Sequence, residues 1–178
     1  VHLDRGGALE RGLVGDRETA ALLGPEAEIA GMTAFELALA AAEAEHGIIP
    51  VEASATIAAR LATFRPDIAM LRDHVALDGV VVPELVRQMR GAVGYPQAQY
   101  LHFGATSQDV IDTALVMRLK TVTDLLDGRI ANVIGSLDQL NSRCGNNALM
   151  GRTRMQPAIP ITVSDRIASW REPLERHL

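Results

Sequence analysis

The chain has 178 residues, of which 48% are apolar but only 3% aromatic, enough for a domain with a real core but too few rings for an aromatic-lined ligand barrel. Its formal charge is −5 and it has no basic run, so neither nucleic acid nor an anionic membrane, both of which need clustered Lys and Arg, is an expected partner. A single cysteine, Cys144, excludes an intrachain disulfide and a Cys-based zinc site and fits a reducing cytoplasm; no apolar run approaches the roughly 20 residues of a membrane span and no signal-peptide pattern is present.

Residues 1–15 are Gly-rich with little to bury and read as a loose or docking arm. Asp16 is placed to cap a short helix ending near Gly24. Pro25 then opens a long Ala-rich helix that Gly47 closes. A third helix spans Pro50 to Phe64, and a fourth runs from Pro66 to Gly79 with Ile68, Leu71 and Val75 at helical spacing. Val80, Val81 and Val82 form a short β-branched run without a partner strand, which predicts a buried extended linker. Pro83 starts a helix that Gly94 ends, and the segment from Tyr95 to Ala105 reads as an ordered loop delivering His102.

Beyond Ser107 the scale changes. Leu115, Leu119, Val122, Leu126, Ile130, Val133, Leu137 and Leu140 follow at steps of three and four, predicting a helix from about Gln108 to Ser142. Such a rod is roughly 50 Å long and its far end needs a partner. Gly128 and Gly135 inside it suggest close approach of another backbone. A further long helix is expected after Pro160, kinked at Pro173 and still carrying its apolar pattern at Leu178. The domains expected are therefore 1–106, N-terminal and helical, and 107–178, the first part of a long-helix bundle.

Two clusters carry chemistry. The first is HFGATSQD, from His102 to Asp109. Ser107 stands where an N-cap is wanted, and the hydroxyls of Thr106 and Ser107 would join the unpaired N–H groups of the helix end; both a plain cap and a carboxylate or phosphate site fit. His102 fits a structural or a catalytic role, with Gly104 leaving room beside it. Gln108 completes the turn, and Asp109 complements the helix dipole. The second cluster is Arg152, Thr153, Arg154 and Gln156, in which planar guanidiniums suit carboxylates although a surface pair on a loop has the same composition. His2, His46, His74 and His177 have no convergent carboxylate or cysteine spacing, so no metal site is expected.

HFGATSQDVIDTA, from His102 to Ala114, resembles the first signature of the fumarase/aspartase superfamily, in the branch of adenylosuccinate lyase and 3-carboxy-cis,cis-muconate cycloisomerase. GRTRMQPAIPITV, from Gly151 to Val163, resembles its second. DGVVVPELVRQMR and the closing DRIASWREPLERHL are similar to the cycloisomerase branch, so the resemblance covers nearly the whole chain.

The resemblance implies an all-α fold, an N-terminal helical domain leading into a central bundle, corresponding to the N-terminal half of that family. It implies a cytoplasmic homotetramer whose active sites draw motifs from three subunits. It also implies a small polycarboxylate as substrate, with no cofactor. The matching histidine makes His102 an active-site residue, and Thr106, Ser107 and Gln108, with Arg152, Thr153, Arg154 and Gln156, become substrate-binding. Fumarases and adenylosuccinate lyases read Gly-Arg-Thr-His where this chain has Arg154. Arginine gives up no proton near neutral pH, so it cannot inherit acid–base work. This favours reversible lactonisation of 3-carboxy-cis,cis-muconate in the β-ketoadipate route of aromatic catabolism over fumarate release; a non-catalytic assembly fragment is the alternative from another class. The third signature, a Gly-Ser-Ser loop bearing the general base, occurs nowhere here, and this predicts an inactive or nearly inactive chain on its own.

Overall fold

The structure, a computed structural model, describes residues 15–178. The expected N-terminal arm, except Gly15, and His2 lie outside the described residues. Helix ends fall where caps, prolines and glycines put them. Asp16 accepts from the N–H groups of Glu18 and Thr19 and opens α1, Arg17–Leu23. Pro25 in the first turn opens α2, Pro25–Glu45, and Gly47 turns the chain at φ 69°. Helix α3, Val51–Leu61, follows Pro50. Helix α4, Ile68–Asp78, is capped by Asp67 and ended by Gly79 at φ 77°, the left-handed conformation that glycine adopts without steric cost. Its start lies just past Pro66 because Asp67 supplies the acceptor for the orphan N–H of Met70.

Val82–Val93 forms α5. The valine run before it is not extended, as the sequence suggested: Val81 is already helical at φ −80°, ψ −26°, and Val82 is the first helical residue and fully buried. Pro83, pre-set near helical φ, and a buried side chain outweigh β propensity here. A 3-10 turn, Gln97–Tyr100, follows, and α6 runs from Ser107 to Cys144. An antiparallel hairpin, β1 Ala148–Thr153 and β2 Gln156–Thr162, then leads into α7, Val163–Glu175, which contains Pro173. The fold is all-α apart from this hairpin, which hydropathy spacing did not reveal because Pro157 and Pro160 remove donors from β2.

The chain divides into two compact units, up to Lys120 and from Thr121. In the first, α2 packs on α1 and α3, α3 on α5 and the 3-10 turn, and α4 on α5. Met32, Ile57, Leu85, Met89, Leu101 and Val110 are the fully buried apolar centre. Helix α6 enters this core through Val110 and Ala114 rather than through Leu115 and Leu119, which are about two-fifths exposed. Gly31 of α2 is the reason it can come so close: a Cβ there would lie 3.1 Å from Ala114 Cβ and 3.3 Å from its Cα. At Gly128 and Gly135, by contrast, no atom of the described residues beyond the helix's own neighbouring backbone lies within 4 Å of an added Cβ.

Glu84 is a buried carboxylate that joins α4 to α5. Arg87 donates to it from Nε and an η nitrogen, each at 2.6 Å, and Gln88 at 2.8 Å, while Gln88 Oε1 accepts from the N–H of Asp67. The Arg87 hydrogen bonds, ahead of the opposing effect of burial, hold its pKa down at about 2. In the second unit, a reciprocal capping box between Thr162 and Asp165 starts α7. Ile167 is buried there, and Arg171 Nε donates to Asp138 Oδ1 of α6 at 2.6 Å.

Replacing Gly31 by Val should lower unfolding free energy by about 1–3 kcal/mol, the scale of an overpacked core. Gly128→Ala should instead add roughly 0.5–1 kcal/mol from helix propensity. Urea unfolding measures both, and a loss at Gly128 would reveal a second backbone against that face.

Candidate active site

The segment between α5 and α6 is aimed from several sides. Gly94 leaves α5 at φ 82°, and an Arg90 η nitrogen donates to the Leu101 carbonyl at 2.9 Å. Leu101 is fully buried, so the backbone just before His102 is anchored. His102 itself sits at φ 58°, left-handed backbone that costs a side-chain-bearing residue about 1–2 kcal/mol. Gly104 at φ 70° completes the turn, and a Cβ there would be 3.8 Å from Glu43 Oε1.

His102 Nδ1 lies 2.7 Å from Glu36 Oε1. The carboxylate is 1% exposed and the imidazole 16%. Glu43, one heptad along α2, is also buried. Glu36 Oε2 and Glu43 Oε2 are both buried without a hydrogen-bond partner. Burial pushes the pKa of Glu36 up, against the opposing His102 hydrogen bond and charge and the charge of Arg90. Burial, then the charge of Glu36, pushes Glu43 up as well. None of these partners was identified in the sequence. The available signal was two carboxylates, Glu36 and Glu43, on the same face of α2 as buried Met32 and Ala40.

Helix α6 begins at Ser107, one residue past the N-cap expected there, so Thr106 holds the capping position. The Thr106 N–H and Oγ1 donate to Asp109 Oδ2 at 2.8 and 2.9 Å. These bonds, the backbone one foremost, hold the Asp109 carboxyl below its ordinary range, and the charge of His102 adds to them. The Thr106 hydroxyl proton thus points inward to Asp109, and Gln108 Nε2 donates to Asp112 at 2.6 Å. Ser107 is half-buried at the first helical position. The N–H groups of the first turn beyond Thr106 stay at the positive end of the helix.

Arg152, Thr153, Arg154 and Gln156 lie in the second unit, on the hairpin. Thr153 pairs with Gln156, so Arg154 and Met155 form the two-residue turn, with Met155 left-handed at φ 64° and 95% exposed. All four candidate residues are exposed. Gly151 has to be glycine, since a Cβ would sit 2.8 Å from the Ile159 carbonyl oxygen. Among the described residues no salt bridge or hydrogen bond joins either guanidinium to a carboxylate. The first cluster and this one belong to different units.

Elsewhere, His74 Nδ1 lies 3.0 Å from the Met70 carbonyl and its Nε2 3.6 Å from Glu84, so it is less solvated than its spacing suggested, while His46 and His177 are exposed. Two apolar cavities of about 500 and 540 Å³ flank Ile29 and Ile68 in the first unit, and no candidate residue lines either. No group of three or more His, Cys, Asp or Glu side chains among the described residues is arranged to hold a metal.

The raised carboxyls have a consequence for pH. A carboxyl whose folded pKa lies above its unfolded value stabilises the fold below about 4.3, and that contribution is lost as pH rises through the folded value. Glu43→Gln, which stays neutral, should therefore raise Tm at pH 7, with the advantage shrinking as pH falls towards about 4. A gain independent of pH in thermal melts would contradict this assignment.

Comparison with known proteins agrees with this architecture. A family model described as a lyase matches residues 19–178. The chain is 36% identical over 150 residues to a 3-carboxy-cis,cis-muconate cycloisomerase of Pseudomonas putida, covering 83% of this chain and 36% of that protein. It is 35% identical over 163 residues to an N-acetyl-S-(2-succino)cysteine lyase of Enterococcus italicus, covering 90% and 35%. The crystal structure of beta-carboxy-cis,cis-muconate cycloisomerase from Acinetobacter calcoaceticus superposes with a TM-score of 0.87 at 28% identity, covering 90% of this chain and 38% of that one. The chain thus spans about a third of the length of the curated relatives it matches. A helical core that delivers a histidine to the head of a 38-residue helix, joined to a match over nearly the whole sequence, establishes that this chain belongs to the lyase family of fumarase/aspartase fold.

Proposed function

We propose that this chain forms part of a 3-carboxy-cis,cis-muconate cycloisomerase. The observation that carries this reading is Arg154. It occupies the turn of the hairpin, exposed and beside Arg152, at the position where the fumarate-releasing members resembled by this motif have an acid–base histidine. A fixed cation cannot exchange a proton with substrate, but two guanidiniums can hold the carboxylates of a tricarboxylate by paired charge-assisted hydrogen bonds.

In the lactonisation, one substrate carboxylate oxygen bonds to a carbon of a double bond and a proton is added to the neighbouring carbon. What the protein supplies is register between carboxylate and alkene, and stabilisation of the enolate-like charge that develops as they combine. Ser107 and the N–H groups at the head of α6 supply positive potential for one carboxylate; Arg152 and Arg154 supply it for others. By the family resemblance, the complete site is assembled from several copies of the chain in a homo-oligomer. His102 carries the proton transfer or orients the reacting group. A second reading, elimination of fumarate from a succinyl adduct, has support from the 35% identical succino-cysteine lyase.

An assay of both substrates separates the readings. A protein carrying this chain together with the serine-loop signature should consume 3-carboxy-cis,cis-muconate, followed by loss of its ultraviolet absorbance, and should release no fumarate from a succinyl-cysteine adduct. The 178-residue chain alone should turn over neither. Arg154→Ala should raise KM for the tricarboxylate roughly tenfold or more, as expected for losing a charged hydrogen bond worth about 1.5–3 kcal/mol. Fumarate release at a higher rate than lactonisation would replace this reading with the second.

A further inference from the structure

We propose that Glu36 is a positioning residue of His102, fixing which ring nitrogen faces the substrate, with Arg90 anchoring the backbone just before it. The inference deepens the reading above and rests on it in one respect, that His102 takes part in the chemistry.

The geometry supplies three independent constraints on one side chain. Helix α5 holds the backbone before His102 through Arg90 and the Leu101 carbonyl, at 2.9 Å. Helix α2 holds the ring through Glu36 and Nδ1, at 2.7 Å. The turn holds the residue at φ 58°, a conformation that persists only where its surroundings over-determine it. With Nδ1 engaged by a carboxylate, Nε2 is the nitrogen left for a substrate. An ionised Glu36 requires the proton on Nδ1, so the neutral ring presents the Nε2 lone pair, and the protonated ring presents an Nε2–H.

Stability alone does not account for Glu36. Met32 and Ala40 occupy the same buried stripe of α2, so an apolar side chain fits this face. Glu36 is nevertheless a carboxylate 1% exposed, with one oxygen lacking any partner. A buried ion pair of this kind is often replaced by apolar residues without loss of stability. The charges of His102 and Arg90 act on it, its own charge acts on neighbouring Glu43, and His102 in turn acts on Asp109 at the head of α6. The pair therefore lies between the helical core and the anion-holding turn.

The test begins with nitrogen NMR of the imidazole in the 178-residue chain. Neutral His102 should carry its proton on Nδ1, and Glu36→Met, which removes the acceptor at similar volume, should return the ring to the tautomer mixture of a free imidazole. A wild-type ring protonated on Nε2 instead, or a tautomer unmoved in the variant, overturns the proposal. Should Glu36→Met fail to fold, the unmodified chain still decides: the Nδ1-bound proton of His102 should show an NMR correlation to the Glu36 carboxylate, and its absence overturns the proposal. In a protein carrying this chain with the serine-loop signature, Glu36→Gln should lower kcat about 10–100-fold, with KM nearly unchanged and the pH profile displaced. Unchanged kcat with an altered tautomer also overturns the positioning role. If the unmodified protein turns over neither substrate class, the functional reading fails while the tautomer measurement stands.

Discussion

The hydrogen bond between His102 and Glu36 is the interaction around which the first unit is arranged. It reaches across 66 positions of sequence and ties the loop ahead of α6 to the middle of α2. Making it requires a left-handed histidine, a buried carboxylate and a backbone anchor from α5. Each is unfavourable or neutral alone, and they are held together where α2, α3 and α5 pack into the core that buries Leu101.

The same core fixes the start of the long helix. Val110 and Ala114 are buried in it, and the bare backbone of Gly31 lets α6 approach α2 closely. Packing within the first two turns of α6 means that the Thr106–Asp109 cap is carried by a helix whose own position is set by packing. The orientation of the helix end, and with it the direction of its positive potential, follows from the Gly31–Ala114 contact. Asp109 then does more than complement the dipole: it takes both donors of Thr106. The half-buried Ser107 hydroxyl and the succeeding N–H groups are not engaged by Asp109.

The second unit solves a different problem. A short hairpin carries both arginines, pairing Thr153 with Gln156 and placing Arg154 in the connecting turn. Gly151 lets the strands close at the point where the register shifts between Met150 and Arg152. The hairpin is tied at its base, where Val163 and Ser164 donate to the carbonyls of Asn147 and Gly145. This gives the arginines a defined support while leaving both residues exposed.

Local chemistry in the chain determined most helix boundaries: Asp16, Pro25, Gly47, Gly79 and Gly94 act through their own backbone preferences or short side chains, within a few residues of where they stand. The two motifs also carry enough local pattern to identify the family and the candidate residues. Tertiary structure alone decided what lies behind them. No spacing rule connects Glu36 or Arg90 to His102, because the connection runs through helix packing rather than along the chain. The cap shifted from Ser107 to Thr106 because Asp109 was free to turn back upon it. The valine run joined a helix because Val82 found a buried place, and the stretch around Arg152 and Arg154, to which spacing assigned no element, formed a hairpin because cross-strand hydrogen bonds outweighed two prolines. In each case the deciding energy came from groups distant in sequence or from a competition that propensity does not rank.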